Sequence, residues 1–459
     1  MSFISSFEFN GKIITLTYPD MYYTNENSYT LITGKNGSGK SRFLSRLTNH
    51  LIGKENPSSL LYPNILNHSS NRKIISISTT PFDKFPTKSK NENYTYVGIK
   101  NHQLSSSSLK LIDSISKNLI KKHLDNEEDF KNQIPKILNS IGFENHLKVI
   151  LKLESSSKTL SRLIDSLIEN SLQKDMNFAS IYNKGEVNYG INPSFNNELI
   201  RLERLTKNID IETLKAILEA IKAIEHIKGD SLFSINLIND YQSELFFEKD
   251  LFFENSLKVL LKYNFLKISD LKLLKKDYGE MSLRRASSGE QCLTIIMLGI
   301  AANIEDNSII MIDEPEVSLH PKWQEDFMPT LMNTFSIYSA CQFIIATHSP
   351  QIVSGMKGQN CYVTDIMSQK LYTASFFSGK SADFQLAEIF GSPGQMNEYI
   401  SRLCFNLLAK MKTHKKFEDN DKNEYQHLLS LKEKINKDDP ILDLILVLEE
   451  VVQHYASNK

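Results

Sequence analysis

Long apolar runs, a bias toward one charge and a regular cysteine spacing are all missing from this sequence. The 53 Lys and Arg residues nearly balance the 54 Asp and Glu residues, giving a net charge of −1, so no global field attracts nucleic acid. No stretch approaches the roughly 18 to 20 uncharged apolar residues of a membrane helix. The first residues lack the basic start and apolar core of a signal peptide. We therefore expect a cytoplasmic protein without a membrane contact, in which any DNA contact rests on a local patch.

Cysteine is scarce, and the few cysteines present are scattered among apolar residues without Cys-x-x-Cys spacing. This pattern favours buried reduced thiols over disulfides or zinc ligands. The four cysteines are Cys292, Cys341, Cys361 and Cys404. At 459 residues and 41% apolar content, the chain is long enough for two or three packed domains.

A glycine-rich segment follows the β-type run at residues 29–33. Residues 34–41 read Gly-Lys-Asn-Gly-Ser-Gly-Lys-Ser, and helical spacing begins directly afterwards. The spacing Gly-x4-Gly-Lys-Ser is that of a phosphate loop, in which glycines let backbone N–H groups surround phosphates at a helix N-terminus. We expect Lys40 to reach the β and γ phosphates of ATP and Ser41 to bind Mg²⁺; a chance glycine turn is the alternative. The loop residues predicted to bind the nucleotide are Asn36, Gly37, Ser38, Gly39, Lys40 and Ser41.

Two carboxylates follow the apolar run at residues 309–312. Asp313 would emerge at the carboxyl end of a buried parallel strand, where α/β sheets bind ligands, and we expect it to hold Mg²⁺. Glu314 can polarise the attacking water. The alternative is a pair of solvated acids before the turn at Pro315.

His348 follows another apolar run, at residues 343–346. A histidine that closes a buried strand can be a satisfied core residue or a contact of the γ-phosphate. The order of the motifs along the chain favours the second interpretation, so His348 joins Glu314 as a predicted catalytic residue.

Residues 287–291 read Ser-Ser-Gly-Glu-Gln and precede the Asp-Glu strand by about twenty positions. By itself this pattern is also a helix cap, because serine followed by Glu or Gln forms a capping box. A helix beginning here would direct its N-terminus at a phosphate. We predict that Ser288, Gly289 and Gln291 contact nucleotide.

The residue patterns divide the chain into four parts. Residues 1–103 and 281–375 alternate β-type and helical spacing, which predicts two lobes of one α/β ATPase head. Over residues 104–280 proline nearly disappears and Leu, Ile and Lys recur at three- and four-residue spacing, which predicts an inserted helical domain. Residues 376–459 predict a helical C-terminal region.

The run from Ser287 to His348, with Asp-Glu-Pro-Glu-Val-Ser-Leu-His-Pro at 313–321, resembles the SMC, RecF and OLD-like branch of ABC ATPases. The segment at 287–291 is similar to the LSGGQ signature, with Glu in place of the second glycine. The resemblance implies an ABC-type P-loop head that binds ATP and Mg²⁺ and forms a head-to-tail pair. In such a pair Ser288 and Gly289 of one subunit complete the ATP site of the other.

Two further segments, 82–86 and 381–391, are similar to those of the PtuA-like ATPases of Septu antiphage systems. This resemblance implies an ATPase that assembles with itself and with a separate HNH nuclease, and that meets DNA through the complex. No nuclease site is expected in this chain itself, because Asp365 is the sole later carboxylate on a predicted strand end.

The chain departs from the ABC pattern at residues 79–82, where Thr-Thr-Pro-Phe replaces the usual glutamine after the strand at 73–78. A DNA-repair clamp of the SMC or RecF kind is the main alternative function, and a transporter subunit is a weaker one. For DNA contact the best cluster is basic but diluted by acids, and a balanced, solvated helix face is the alternative. The cluster comprises Lys262, Lys267, Lys272, Lys275, Lys276, Arg284 and Arg285. Tyr18, Tyr22 and Tyr23 could stack on adenine or pack in the protein.

Overall fold

The structure is a computed structural model that describes residues 3–18, 25–54, 72–98, 107–125, 128–172, 202, 204, 206, 209–228, 232–238, 251–414 and 419–457. The strands in these ranges are β1 Ser6–Phe9, β2 Lys12–Thr15, β3 Ser28–Thr33, β4 Ile74–Ser78, β5 Tyr94–Gly98, β6 Leu147–Leu153, β7 Leu232–Asn236, β8 Leu266–Lys275, β9 Gly279–Ser282, β10 Ile309–Asp313, β11 Gln342–Ala346, β12 Cys361–Asp365 and β13 Leu371–Thr373.

The helices in the same ranges are α1 Lys40–Leu51, α2 Ser107–Leu124, α3 Glu128–Ser140, α4 Ser157–Leu172, α5 Ile211–Lys228, α6 Leu251–Lys262, α7 Ser288–Ala301, α8 Pro321–Thr334, α9 Pro350–Gly355, α10 Ala374–Phe377, α11 Ala382–Glu388, α12 Glu398–His414, α13 Asp419–Lys432 and α14 Ile441–Ser457. In these parts of the chain no helix is both long enough and apolar enough to cross a bilayer.

The chain divides into two compact units, residues 1–107 with 287–459 and residues 108–286. The first unit contains a seven-stranded sheet of order β13-β12-β3-β11-β10-β4-β5. Every neighbouring pair is parallel except β12 with β13. Strands β3, β4, β10 and β11 are buried along their whole length, which explains why they appear in the sequence as continuous runs rather than alternating ones.

Helix α1 covers this sheet beside its central strands. Phe43, Leu44 and Leu47 on α1 are fully buried in one core with Met311 of β10 and Ile344 of β11. This packing fixes the start of α1 against the strands that carry the predicted site residues. The α/β class and the strand predicted at 73–78 are confirmed, and the apolar runs at 309–312 and 343–346 both form strands.

The predicted helical C-terminal region is confirmed as well. Helices α12, α13 and α14 share an apolar core that includes Cys404, Leu407, Leu428 and Leu448. All four cysteines of the chain are buried and free, as their scattered positions predict.

The helical domain predicted over residues 104–280 is helical only in part. The second unit contains helices, but it also holds a four-stranded antiparallel sheet of order β7-β6-β8-β9. In β6 the buried residues Leu147, Val149, Leu151 and Leu153 alternate with outward-facing ones, which is a period of two. Leucine and lysine are also good helix formers, so composition favoured a helix where the alternation specifies a strand.

Candidate functional site

The predicted site residues lie at the carboxyl ends of three neighbouring parallel strands. In the strand register Asp313 of β10 pairs with Ala346 of β11, and Ala346 pairs with Ile32 of β3. The glycine loop follows β3 and His348 lies two positions after β11. Parallel strands end at the same edge of a sheet, so three segments distant in sequence meet there.

The glycine loop has the backbone conformation that its sequence predicts. Gly34, Gly37 and Gly39 have φ values of 146°, 76° and 100°, a region that residues with a Cβ rarely adopt. Gly39 is the N-cap of α1 and supplies no side-chain cap, so the first N–H groups of this helix remain available to a ligand. The loop therefore presents backbone donors and the positive end of a helix in one place.

A buried polar atom in this loop supports a phosphate ligand. The hydroxyl oxygen of Ser38 is buried and, in the described part of the chain, has no hydrogen-bond partner. Buried polar atoms are nearly always paired, and an unpaired one often marks the place of an absent ion or ligand. Ser38, Gly37 and Gly39 together fit an oxyanion that accepts hydrogen bonds from the loop.

Ser41 and Asp313 are in direct contact. The Ser41 hydroxyl donates a hydrogen bond to Oδ1 of Asp313 at 3.0 Å. Burial raises the pKa of Asp313 to about 7, and the nearby carboxylates Glu314, Asp83 and Glu316 add to the effect, while the hydrogen bond from Ser41 opposes it. A hydroxyl beside a desolvated carboxylate is an oxygen donor set that Mg²⁺ accepts, so Ser41 and Asp313 fit this ion.

Lys40 is almost completely buried, and its ammonium group points back along the loop. Its Nζ donates to the carbonyl of Gly34 at 3.1 Å and lies 2.5 Å from Nε2 of His348. Burial lowers the pKa of Lys40, although neighbouring carboxylates oppose this effect. Burial, together with the charge of Lys40, lowers the pKa of His348 to about 4. His348 is therefore neutral at physiological pH and can accept a hydrogen bond from Lys40.

Glu314 begins a sharp turn after β10. Its φ is 50°, an uncommon value for a residue with a side chain, and its N–H donates to the carbonyl of Ala346 at 3.0 Å. The turn brings its carboxylate to 3.6 Å from Nε2 of His348. The two neighbouring carboxylates therefore have different surroundings. Asp313 contacts Ser41, whereas Glu314 faces His348.

Glu316 is a site residue that the sequence analysis did not single out. Its carboxylate accepts the backbone N–H of His348 at 2.5 Å and the hydroxyl of Thr347 at 3.0 Å. Burial raises the pKa of Glu316. The sequence does contain one indication of this role: Glu316 is the last carboxylate of the Asp-Glu-Pro-Glu run, just beyond the end of the strand. These two hydrogen bonds connect the end of β11 to the turn after β10, and they fix the position of His348.

The signature segment caps α7 and packs against the turn that precedes α8. Ser287 is the N-cap, and it forms a reciprocal capping box with Glu290. A Cβ at Gly289 would lie 2.8 Å from both the carbonyl oxygen of Ser318 and a ring carbon of Trp323, which explains the glycine. The capping alternative is therefore observed, and it leaves the Ser288 side chain outside the capping box. The nucleotide contact of Ser288, Gly289 and Gln291 stays a prediction.

Ser288 is exposed, and Gln291 is partly buried one turn further along α7. Among the described residues, the hydrogen bonds and ion pairs of Lys40, Ser41 and Asp313 do not include either of them. The phosphate loop, the Asp-Glu pair and His348 form one cluster within the chain. The signature does not contribute to that cluster.

Thr79 lies at the position where the ABC pattern has a glutamine, and it contacts helix α7. The thiol of Cys292, on α7, lies 3.2 Å from the hydroxyl of Thr79 and 3.8 Å from the carbonyl of Pro315. Burial raises the pKa of Cys292 to about 11, which favours the protonated thiol over the reactive thiolate. Tyr18 is half exposed and packs edge-on against Tyr362, while Tyr22 and Tyr23 lie outside the described residues.

The sheet order and the cluster of Ser41, Asp313, Lys40 and His348 indicate a P-loop ATPase head. The family model described as "AAA domain, putative AbiEii toxin, Type IV TA system" matches residues 29–354. This chain belongs to that family.

Two curated relatives are similar over part of their length. The retron Ec83 probable ATPase of Escherichia coli is 28% identical over 203 residues, which is 36% of this chain and 37% of that protein. The retron Vc95 probable ATPase of Vibrio cholerae serotype O1 biovar El Tor is 29% identical over 126 residues, 24% of each chain. This chain therefore matches only about a third or less of either relative.

Solved structures also align over most of this chain. A nucleotide-free ATP-binding cassette from an ABC transporter aligns over 79% of this chain and 85% of its own, at 14% identity and a TM-score of 0.24. An Smc head domain with an extended coiled coil, bound to the C-terminal domain of ScpA and derived from Pyrococcus furiosus, aligns over 77% and 92%, at 12% identity and a TM-score of 0.28.

Proposed function

We propose that this protein binds ATP with Mg²⁺ at the carboxyl edge of the sheet and hydrolyses it. The observation that carries the proposal is the convergence of Lys40, Ser41, Asp313, Glu314 and His348 on one edge, together with the unpaired Ser38 hydroxyl. The loop N–H groups and Lys40 bind the phosphates, while Ser41 and Asp313 would hold Mg²⁺.

The remaining residues act on the water and on the γ-phosphate. Glu314 orients the attacking water and accepts its proton on a carboxylate oxygen. Neutral His348 contacts the transferred phosphoryl group, and its Nε2 lies 3.6 Å from the carboxylate of Glu314 on the same side of the site. When bound, Mg²⁺ would offset negative charge that develops on the phosphates.

We further propose that two chains associate head to tail and that Ser288 and Gly289 of one chain complete the nucleotide site of the other. The support is that Ser288 is exposed at the first turn of α7 and separate from the cluster in its own chain. A helix N-terminus attracts phosphate, so a second chain can bring this donor set to the γ-phosphate. Nucleotide binding would then favour the closed pair, and hydrolysis would release it.

We assign the ATPase to antiviral defence, as the sensor or scaffold of a complex with a separate HNH-type nuclease that brings it to DNA. Support comes from the resemblance of segments 82–86 and 381–391 to Septu ATPases, from the toxin description of the family, and from the two retron ATPase relatives. A DNA-repair ATPase of the SMC or RecF kind is the second candidate. Purification from the native host with and without ATP separates them, because a co-eluting nuclease is expected only of the first.

ATP hydrolysis and ATP binding should be measured together in three variants. Lys40→Ala should lose both activities, whereas Glu314→Gln should bind ATP and fail to turn it over. Glu325→Gln is a matched control, because this glutamate is an exposed side chain on α8 of the same unit. Wild-type turnover in Glu314→Gln would remove the proposed general base, and unchanged ATP binding in Lys40→Ala would remove the nucleotide site.

A further inference from the structure

The antiparallel sheet of the second unit has one apolar face and one face with many lysines. In β6 Lys148 and Lys152 alternate with buried residues, and in β8 Lys267 and Lys272 do the same. Successive side chains of a strand point to opposite faces, so these four lysines share the face opposite the core. Lys267 and Lys272, for which a balanced helix face was one expectation, lie on strand β8.

The register between β6 and β8 sets these lysines directly opposite one another. Lys148 pairs with Lys272, and Lys152 pairs with Lys267. Side chains at directly opposite positions have Cβ atoms about 5 Å apart, and like charges there destabilise a sheet. The chain thus holds two like-charge pairs on adjacent strands, which folding stability alone does not favour.

One of the two pairs is partly compensated within the protein by a single carboxylate. Glu280 on β9 lies 2.9 Å from the ammonium of Lys272, 3.5 Å from that of Lys148 and 3.3 Å from the ring of His146. A second carboxylate, Asp270, accepts a hydrogen bond from Ser282 and lies 3.7 Å from Arg284. Glu280 lies beside the pair of Lys148 and Lys272, whereas Asp270 pairs with Ile150, between the two lysine pairs.

The other pair has no such compensation. Lys152 and Lys267 are both exposed, and within the described residues neither has a carboxylate within 4 Å. By contrast, the helix residue Lys258 of the same unit pairs with Asp125. On the sheet face Lys148, Lys152, Lys267, Lys272 and Arg284 outnumber the two acids by three charges, in a chain whose net charge is −1.

We propose that this lysine face, made of Lys148, Lys152, Lys267 and Lys272, binds the sugar-phosphate backbone of a nucleic acid. Lys148 and Lys152 are four residues apart along β6, so the two lysine pairs are separated by about 13 to 14 Å. Positive charges at two separate places on a flat surface fit a polyanion with repeated charges better than a single carboxylate. Lysine contacts phosphate as a point charge, so binding is independent of base sequence.

This inference goes beyond the proposed function, because the surface belongs to the unit that lacks the phosphate loop and needs no hydrolysis. It also locates a direct nucleic-acid contact on this chain, in addition to any contact through a partner. Nucleic-acid binding is measured without nucleotide. A negative result in that experiment therefore leaves the ATPase proposal untouched, and the loss of the ATPase proposal leaves the lysine face untouched.

The test compares the full chain with Lys152→Gln/Lys267→Gln in fluorescence anisotropy. The probes are single-stranded DNA, single-stranded RNA and duplex DNA of about 20 nucleotides, at several salt concentrations. The matched control is Lys215→Gln/Lys222→Gln, which removes two exposed lysines from α5 of the same unit. Polyglutamate serves as a competitor that reports binding of acidic protein.

We expect the sheet variant to bind about tenfold or more weakly at 0.1 M salt, and its plot of log K against log salt to be shallower by about 2. The control should keep the wild-type affinity and slope, and ATP turnover without nucleic acid should be equal in all three proteins. The inference is overturned by wild-type binding in the sheet variant, by equal losses in both variants, by no nucleic-acid binding of the full chain at low salt, or by binding of polyglutamate alone. The probe that binds most tightly identifies the form of nucleic acid.

Discussion

The hydroxyl of Ser41 donates a 3.0 Å hydrogen bond to Oδ1 of Asp313, across 272 positions of sequence. This contact joins the first residues of α1 to the end of β10, and both elements are buried in the same core. The pair is therefore in place within a single chain. Because the pKa of Asp313 is raised, we expect the binding of Mg²⁺ at this pair to depend on pH.

Mg²⁺ binding should release a proton from Asp313. Burial raises the pKa of this carboxyl to about 7, so part of it is protonated at neutral pH, whereas metal ligation requires the carboxylate. Mg²⁺ affinity in the presence of ATP should therefore rise between about pH 6 and 8. Calorimetry in buffers of different ionisation enthalpy measures the released proton. Ser45→Ala, on α1 but away from Asp313, should behave as wild type, and an unchanged affinity across this pH range would contradict the assignment.

His348 should make the nucleotide-free protein less stable as the pH falls from about 6.5 to 4. Its pKa is lowered to about 4, so the unfolded chain binds this proton more readily than the folded chain does. Asp313 has the opposite sign, because its raised pKa makes the folded chain bind more protons between 3.8 and about 7. The difference in unfolding free energy between wild type and His348→Gln isolates the contribution of His348 from that of Asp313. Parallel curves for the two proteins over pH 4 to 6.5 would argue against a neutral His348.

Glu314→Gln should lower ATP turnover by about a hundredfold or more, because a general base contributes 10² to 10⁴ in rate. ATP binding should remain, since Lys40 and the loop N–H groups are unchanged. Steady-state turnover and equilibrium nucleotide binding test the two halves of this prediction. Glu325→Gln should retain both, and a loss of binding in Glu314→Gln would assign this residue to holding the nucleotide instead.

Glu316→Ala should lower turnover and stability together. It leaves the N–H of His348 and the hydroxyl of Thr347 without their acceptor, at a cost of about 1 to 3 kcal/mol for a buried unpaired group. Glu316→Gln keeps one acceptor oxygen and should recover part of the stability. A positioning role further requires that the kcat of Glu316→Ala fall while its ATP affinity stays near wild type. An unchanged kcat in a destabilised protein would show that Glu316 is structural only.

Gly289 and Ser288 should respond differently to alanine. A Cβ at Gly289 would lie 2.8 Å from the Ser318 carbonyl oxygen, so Gly289→Ala should destabilise the protein by about 1 to 3 kcal/mol. Ser288 is exposed, so Ser288→Ala should leave the melting temperature almost unchanged and lower turnover if a partner uses this serine. Equal turnover in Ser288→Ala and wild type would mean that the hydroxyl has no part in the reaction.

The strands that carry the site could be predicted from sequence because local pattern and burial agree there. Residues 309–312 and 343–346 are continuous apolar runs, and each precedes a polar segment at the strand end. Glu316 could not be predicted in the same way. Its acceptor role depends on the turn after β10, which involves positive φ at Glu314 and brings two segments together.

The sheet of the second unit was missed for a different reason. Leucine and lysine suit either a helix or a half-buried strand, and only the strict alternation in β6 separates the two. In β8 the alternation is interrupted at Ser269, where the register with β6 shifts between Ile150 and Leu151. The lysine face became visible only when the register showed which lysines are opposite one another.

The most direct test of the composite site mixes two inactive variants. Lys40→Ala lacks a working phosphate loop and Ser288→Ala lacks the signature serine, so a mixed head-to-tail pair has one site with both parts intact. If subunits exchange freely, an equal mixture should recover about a quarter of wild-type ATP turnover, because about half of the pairs are mixed and each has one good site. A mixture no more active than the mean of the two separate variants would contradict a site shared between chains.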